Sequence, residues 1–200
     1  MIEIIDVLAQ QVTEWAGGSS RQLCISPAES SLAARNFRWR FSTADVNASG
    51  AFSDFSGYQR YLAIRSGRGL RLTVDAHQMQ LETPNYVAIF GGHAATSGEL
   101  LDGPVRDINL IVRLDEAGKA LADTELLPVT LCAEPLTVTR ARPRLWLVYA
   151  DVTRLKLQVG DNRRTLEQGA VARFVASEFT LAAEHSSSCV IASVSADTTA

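Results

Sequence analysis

The chain has 200 residues, a formal net charge of -3, 46% hydrophobic and 20% charged residues, enough apolar material for one large domain or two small ones. Its basic residues are nearly all arginine and are scattered along the chain. That argues against nucleic-acid binding, which needs a concentrated positive face to displace counterions. Cys24, Cys132 and Cys189 lie far apart, without a C-x-x-C spacing. A cysteine zinc site is therefore not expected, and the odd count fits a reducing compartment.

The opening residues, MIEIIDVLAQ, are acidic and carry no long apolar run, so they do not read as a secretory signal. No stretch approaches about 18 consecutive apolar residues, the length that would suggest a membrane-spanning helix, and the expected location is the cytoplasm. A short helix is predicted from Val7 to Trp15. Strand signals dominate after it. Phe37 to Ala44 alternates, with Phe37, Trp39 and Phe41 on one side and Arg38, Arg40 and Ser42 on the other. Tyr58 to Ile64, Leu70 to Val74, Tyr86 to Phe90 and Val105 to Val112 follow, punctuated by glycine and aspartate; Ser66 to Gly69 reads as a hairpin turn. Asp115 to Asp123 is charged and alanine-rich and reads as a linker with a helical turn. Beyond it, Leu136 to Thr139, Leu145 to Ala150, Leu155 to Val159, Ala172 to Val175 and Cys189 to Val194 are strand candidates. The tail from Ser195 to Ala200 is small and polar and is expected to fray.

The two halves share a rhythm. An offset of 85 residues carries Leu72-Thr73-Val74 onto Leu157-Gln158-Val159, Leu81-Glu82 onto Leu166-Glu167, and Leu62-Ala63-Ile64 onto Leu147-Val148-Tyr149. One offset serving three places points to an internal duplication. Many short strands with regular turns point to barrels or sandwiches.

Three blocks are more specific. Trp39-Arg40-Phe41-Ser42-Thr43-Ala44-Asp45-Val46 is followed by Gly50-Ala51-Phe52-Ser53-Asp54-Phe55-Ser56-Gly57-Tyr58-Gln59-Arg60, then by Asp102-Gly103-Pro104-Val105-Arg106-Asp107-Ile108-Asn109-Leu110. In order and spacing they resemble the HutD/Ves family. Trp15-Ala16-Gly17-Gly18-Ser19-Ser20 is similar to a further family stretch, but lacks its Asn and one Gly. The resemblance implies an all-β bicupin: two cupin-like β-barrels in one chain with few short helices. Residues 1–114 would form the N-terminal barrel, 115–123 the linker and 124–196 the C-terminal barrel. It also implies an association with histidine utilisation, in a regulatory, ligand-sensing role and with no established reaction.

Chemistry-bearing motifs are sparse. His77, His93 and His185 are not paired as H-x-H, so the usual cupin metal set is missing and no metal or other cofactor is expected. There is no G-x-S-x-G elbow, and no residue is assigned a catalytic role. Strand parity is the informative feature. It places Arg40 with Ser42, Tyr58 with Arg60, and Asp107 with Asn109 on common faces. These six, with Phe52 as an apolar wall, form the candidate ligand site of the N-terminal barrel. Two guanidiniums can grip a carboxylate in bidentate fashion. Asn109 can read a carbonyl or amide, and Asp107 can orient an arginine or pair with it. Trp39 and Phe55 would serve as walls or core. The expected function is binding of a small carboxylate, by a protein that forms a homodimer and engages neither nucleic acid nor membrane. The competing readings are a metal-independent enzyme using Asp107 as acid or base, and a structural protein with a filled barrel.

Overall fold

A computed structural model of the chain describes residues 1–82 and 86–196. It is all-β: seventeen strands and a single 3-10 turn, Val7–Ala9, among the described residues. In chain order the strands are β1 (Ile2–Ile5), β2 (Gln11–Trp15), β3 (Gly18–Ser26), β4 (Trp39–Val46), β5 (Gly50–Ala51), β6 (Tyr58–Ser66), β7 (Leu70–Val74), β8 (His77–Leu81), β9 (Val87–Gly91), β10 (Thr96–Leu100), β11 (Val105–Arg113), β12 (Glu125–Leu131), β13 (Leu136–Tyr149), β14 (Leu155–Val159), β15 (Asn162–Leu166), β16 (Val171–Ala182) and β17 (Ser187–Ser195). The helix expected between Val7 and Trp15 does not form. After the 3-10 turn the chain extends into β2, because Gln11–Trp15 pairs antiparallel with Gly18–Gln22 and that ladder outweighs local helical spacing. The expected fraying of the tail falls mostly on residues 197–200, outside the described residues.

The chain divides into two compact units, Gln11–Leu121 and Met1–Gln10 with Ala122–Ala200. This differs from the expected 1–114, 115–123 and 124–196. Strand β1 pairs with Val171–Phe174 of β16, which takes the first residues into the second unit. The segment after Leu114 folds back through a Leu114–Ala120 bridge, with Asp115 accepting from the backbone of Ala117 and Lys119, so it stays with the first unit.

The first unit has two antiparallel sheets, β2-β3-β4-β11-β6-β9 and β5-β10-β7-β8. Neither closes into a barrel, contrary to the expected architecture. The reason is visible at the corner between β6 and β7. Ser66 to Gly69 is not a hairpin turn; it carries the chain from one sheet to the other. Gly67 and Gly69 have φ of 95° and 112°, and a Cβ on Gly67 would sit 2.5 Å from the Pro104 carbonyl oxygen. Leu62 and Ile64 of one sheet pack with Leu70, Leu72 and Leu81 of the other to make the core between them.

The second unit is a seven-stranded antiparallel sheet, β12-β17-β13-β16-β14-β15, with β1 also on β16. This sheet too is not a closed barrel. Its core is filled by Trp146, Phe174 and Phe179, whose rings meet edge to face at 5.0 and 5.1 Å, with Val148, Leu155 and Leu157 around them.

The internal repeat is visible in part. The hairpin Leu70–Val74/His77–Leu81 lies 85 residues before Leu155–Val159/Asn162–Leu166, with identical strand lengths. Upstream the parity slips. Leu62 and Ile64 face the first core, whereas Trp146 and Val148, not Leu147 and Tyr149, face the second.

Candidate ligand-binding cavity

The cavity of the first unit, about 380 Å³, lies between its two sheets. Period-two alternation aims one residue in two of each strand into it. From β4 come Arg40, Ser42, Ala44 and Val46; from β11, Asp107, Asn109 and Ile111; from β6, Arg60. The register sets them in rows. Ser42 lies opposite Asn109, and Ala44 opposite Asp107. Ile111 lies between Arg40 on one side and Arg60 on the other. The arginine end is closed by Ile25, Phe37, Phe55 and Tyr58, packed around Ile111. The opposite end opens between the exposed residues Trp15, Ala16, Ala48, Ser49 and Gly50.

Both arginines are 5% exposed. Arg40 donates from Nη1 to Ser42 Oγ at 2.8 Å and from Nε to Gln22 Oε1 at 3.1 Å. Arg60 donates from Nη2 to Asn109 Oδ1 at 3.0 Å, while its Nε is buried without a partner. A guanidinium has five N–H donors, so the protein satisfies only a fraction of either set. Phe52, Phe90 and Phe55 crowd Arg60, their ring centroids 4.9, 5.2 and 5.4 Å from its guanidinium carbon. The negative ring faces offset part of the desolvation cost. Burial pushes each arginine down to about 10, opposed by the Asp107 charge. Both stay protonated at neutral pH.

Asp107 is 2% exposed. The expected pairing with an arginine is not made: among the described residues, no ion pair within 4 Å joins Asp107 to either guanidinium. The contact runs through Asn109, which donates from Nδ2 to Asp107 Oδ1 at 3.1 Å while accepting from Arg60. Burial pushes the Asp107 carboxyl up to about 7. Arg60, Asn109 and the backbone N–H of Ala44 pull the other way, and Asp45 adds to the rise. At neutral pH the cavity therefore holds two cations and at most one anion.

The second unit shows what a completed arrangement looks like. Strands β12, β17 and β13 lie side by side in the order of β4, β11 and β6. There, Arg144 on β13 meets Glu125 of β12 at 2.7 Å and Asp123 just before it at 3.3 Å, and Arg140 meets Glu125 at 2.7 Å. In the first unit the strand that would supply the acid, β4, carries Arg40 instead.

Of the seven residues expected from sequence, Arg40, Ser42, Phe52, Arg60, Asp107 and Asn109 line the cavity. Tyr58 does not. It shares the face of Arg60, but its hydroxyl proton is shared between the Arg35 and Phe37 carbonyls while the oxygen accepts from Arg113, and its ring packs tilted against Phe37 with centroids 4.6 Å apart. Phe55 is a wall, whereas Trp39 points to the opposite, also buried, face of the sheet. Sequence reasoning missed Gln22 and the rim residues Thr13, Trp15 and Ser20. The alternation of Ser20 and Gln22 was the available signal. His77, His93 and His185 are exposed. Among the described residues no three His, Cys, Asp or Glu side chains are grouped to hold a metal ion, and no helix is long and apolar enough to cross a membrane.

The HutD family model matches residues 9–191. The chain belongs to the HutD family. Among curated relatives, a Pseudomonas putida protein described as an uncharacterized 21.2 kDa protein in the hutC 3' region is 44% identical over 75 residues. That alignment spans 38% of this chain and only 40% of the relative. Protein Ves of Citrobacter koseri is 27% identical over 84% of this chain and 82% of its own length. Among solved structures, a conserved protein of unknown function from Pseudomonas aeruginosa PAO1 superposes with TM-score 0.80 at 22% identity, covering 98% of each chain. HutD from Pseudomonas fluorescens SBW25, in a formate condition, superposes with TM-score 0.70 at 24% identity, covering 97% of this chain and 98% of that one. Beyond HutD, the fold is shared with a cupin-like neighbour, the bacterial pirin of Escherichia coli solved in complex with nickel(II), with TM-score 0.69 at 9% identity over 98% of this chain and 99% of that one.

Proposed function

We propose that this HutD-family protein binds a small carboxylate in the cavity of its first unit and serves a regulatory role in histidine utilisation in the cytoplasm. Each unit is, on this reading, a cupin-like half. The observation that carries the proposal is the incomplete charge balance: two buried guanidiniums with spare donors open on one cavity, and among the described residues no carboxylate lies within ion-pair distance of them. A buried cation left unpaired is costly, and an external carboxylate supplies the missing partner with bidentate geometry. The location of the Pseudomonas putida relative in a hut region favours acids of histidine degradation, such as urocanate or a formylated glutamate. A thermal-shift series with these acids and formate tests the proposal. A ligand that binds only the folded chain raises the midpoint. No shift with any acid at millimolar concentration would refute it.

A second reading has its own observation. Asp107 faces the same cavity with its carboxyl pushed up to about 7, which suits a general acid or base beside an arginine-held substrate. Chemical change of a bound acid on incubation with wild-type protein, lost in Asp107→Asn, would favour this enzyme. The cavity itself counts against a filled, purely structural first unit. We expect a homodimer, because exposed strand edges and open sheet faces favour pairing and cupin relatives often dimerise; sedimentation at several concentrations tests it.

A further inference from the structure

Within the proposed reading, the mouth of the cavity restricts the kind of carboxylate. The rim is built around the hairpin between β2 and β3. Trp15 lines the cavity beside Thr13 yet is 44% exposed, whereas Trp39 and Trp146 are fully buried. It is therefore not a core residue held in place by burial. Two backbone features fix it. Its six-membered ring crowds Gly17, where a Cβ would fall 2.2 Å from the ring's Cζ3. The Gly17 carbonyl accepts from the backbone N–H groups of Asn47 and Ala48 at 2.7 and 3.2 Å, which ties the hairpin tip to the other lip of the mouth. Gly18 approaches β4 so closely that a Cβ would meet the Asp45 carbonyl oxygen at 1.9 Å. These contacts restrain the rim, and Trp15 stands among the residues lining the cavity mouth.

The distance to the arginines sets the ligand's form. Trp15 and Gly18 share the row of Val46, and the guanidinium of Arg40 reaches the row of Ser42. Four residues of strand separate those rows, about 13 Å. A carboxylate alone cannot touch both ends. Between them the lining combines apolar Ala44, Phe52 and Leu70 with the Asp107 carboxyl, which lies opposite Ala44.

We propose that Trp15 is the specificity residue of this site, selecting carboxylates that carry a flat, unsaturated group several bonds from the acid. Calorimetric titration of the intact protein with acetate, cinnamate and 3-cyclohexylpropanoate tests this. The last two have similar length and apolar bulk but differ in flatness. Wild type should prefer cinnamate over 3-cyclohexylpropanoate by about threefold to tenfold, the scale of an aromatic pair beyond simple burial. Trp15→Phe should retain most of that preference. Trp15→Ala and Trp15→Leu should erase it, while a cooperative thermal transition at a near-wild-type midpoint shows that the variants are folded. Equal affinity of wild type for the two long acids, or a preference that survives in Trp15→Leu, overturns the role of Trp15 while leaving carboxylate binding intact. Failure of all three acids to bind wild type overturns the carboxylate reading and this inference together.

Discussion

Arg60 and Asp107 line the same cavity without touching, because Asn109 stands between them, accepting from the arginine at 3.0 Å and donating to the aspartate at 3.1 Å. The bridge keeps the guanidinium from collapsing onto the carboxylate and leaves its remaining donors available. Replacing Arg60 by Met tests this arrangement. The apolar, similarly long side chain removes a buried cation, so the ligand-free protein should lose no more than about 1 kcal/mol and could gain, while carboxylates cease to shift the midpoint. Arg60→Lys should also impair binding, since an ammonium cannot reproduce the fork. Unaltered acid binding by both variants would show that the cluster is structural.

Ser42→Glu should imitate the second unit. A carboxylate at that position lies beside Arg40 Nη1, which already contacts Ser42 Oγ at 2.8 Å, as Glu125 lies beside Arg144. The internal acid should exclude external ones and lower their affinity at least tenfold, measured by calorimetry. Undiminished affinity would mean that ligands bind elsewhere.

Asp107 predicts a pH signature. Its carboxyl titrates near 7 in the folded chain and near 3.8 when unperturbed. Between those values the folded state holds the extra proton. Its contribution to stability is thus fully present below about pH 4 and lost as pH rises through about 7, a difference on the order of a few kcal/mol. Denaturant titrations from pH 4 to 8 should show this slope superimposed on other groups, and Asp107→Asn should flatten it. An identical profile in the variant would contradict the assignment.

The same group couples ligand to proton. An anion placed between Arg40 and Arg60 offsets the charges that hold Asp107 ionised, so binding near pH 7.5 should take up a fraction of a proton. Calorimetry in two buffers of different ionisation enthalpy, such as HEPES and Tris, measures it as a difference in apparent heat. Equal heats in both buffers for wild type would rule the coupling out.

Tyr58→Phe should separate frame from site. The hydroxyl serves two backbone carbonyls and Arg113, so its loss should cost about 1–3 kcal/mol of stability with carboxylate affinity unchanged. A marked loss of affinity without loss of stability would return Tyr58 to the ligand site.

Much of this was legible because β-strands have a strict period. Arg40 and Ser42, or Asp107 and Asn109, share a face whatever the rest of the fold does, and the family motifs placed those strands in one unit. Pairing across strands is not written in any one of them. That Arg40 and Arg60 would flank Ile111, and that Asn109 would separate Asp107 from Arg60, depends on register. Parity also could not separate Tyr58 from Arg60, since a long side chain on the right face can still end against backbone outside the cavity. Val7 to Trp15 misled for a different reason. Its apolar residues have helical spacing, yet Leu8 is 97% exposed; they mark a turn and a rim, and pairing with β3 decides their conformation.

Strand β1 has a consequence for how the chain is made. Ile2–Ile5 is synthesised well before its ladder partner, Val171–Phe174, which follows some 170 residues later. The first unit, Gln11–Leu121, holds its own complement of strands and can assemble during translation. Strand β1 meanwhile waits unpaired, an open template for mismatched pairing. Glu3, matched in register with Arg173, places a charge in the middle of that waiting segment, which guards it against wrong partners until the right one arrives.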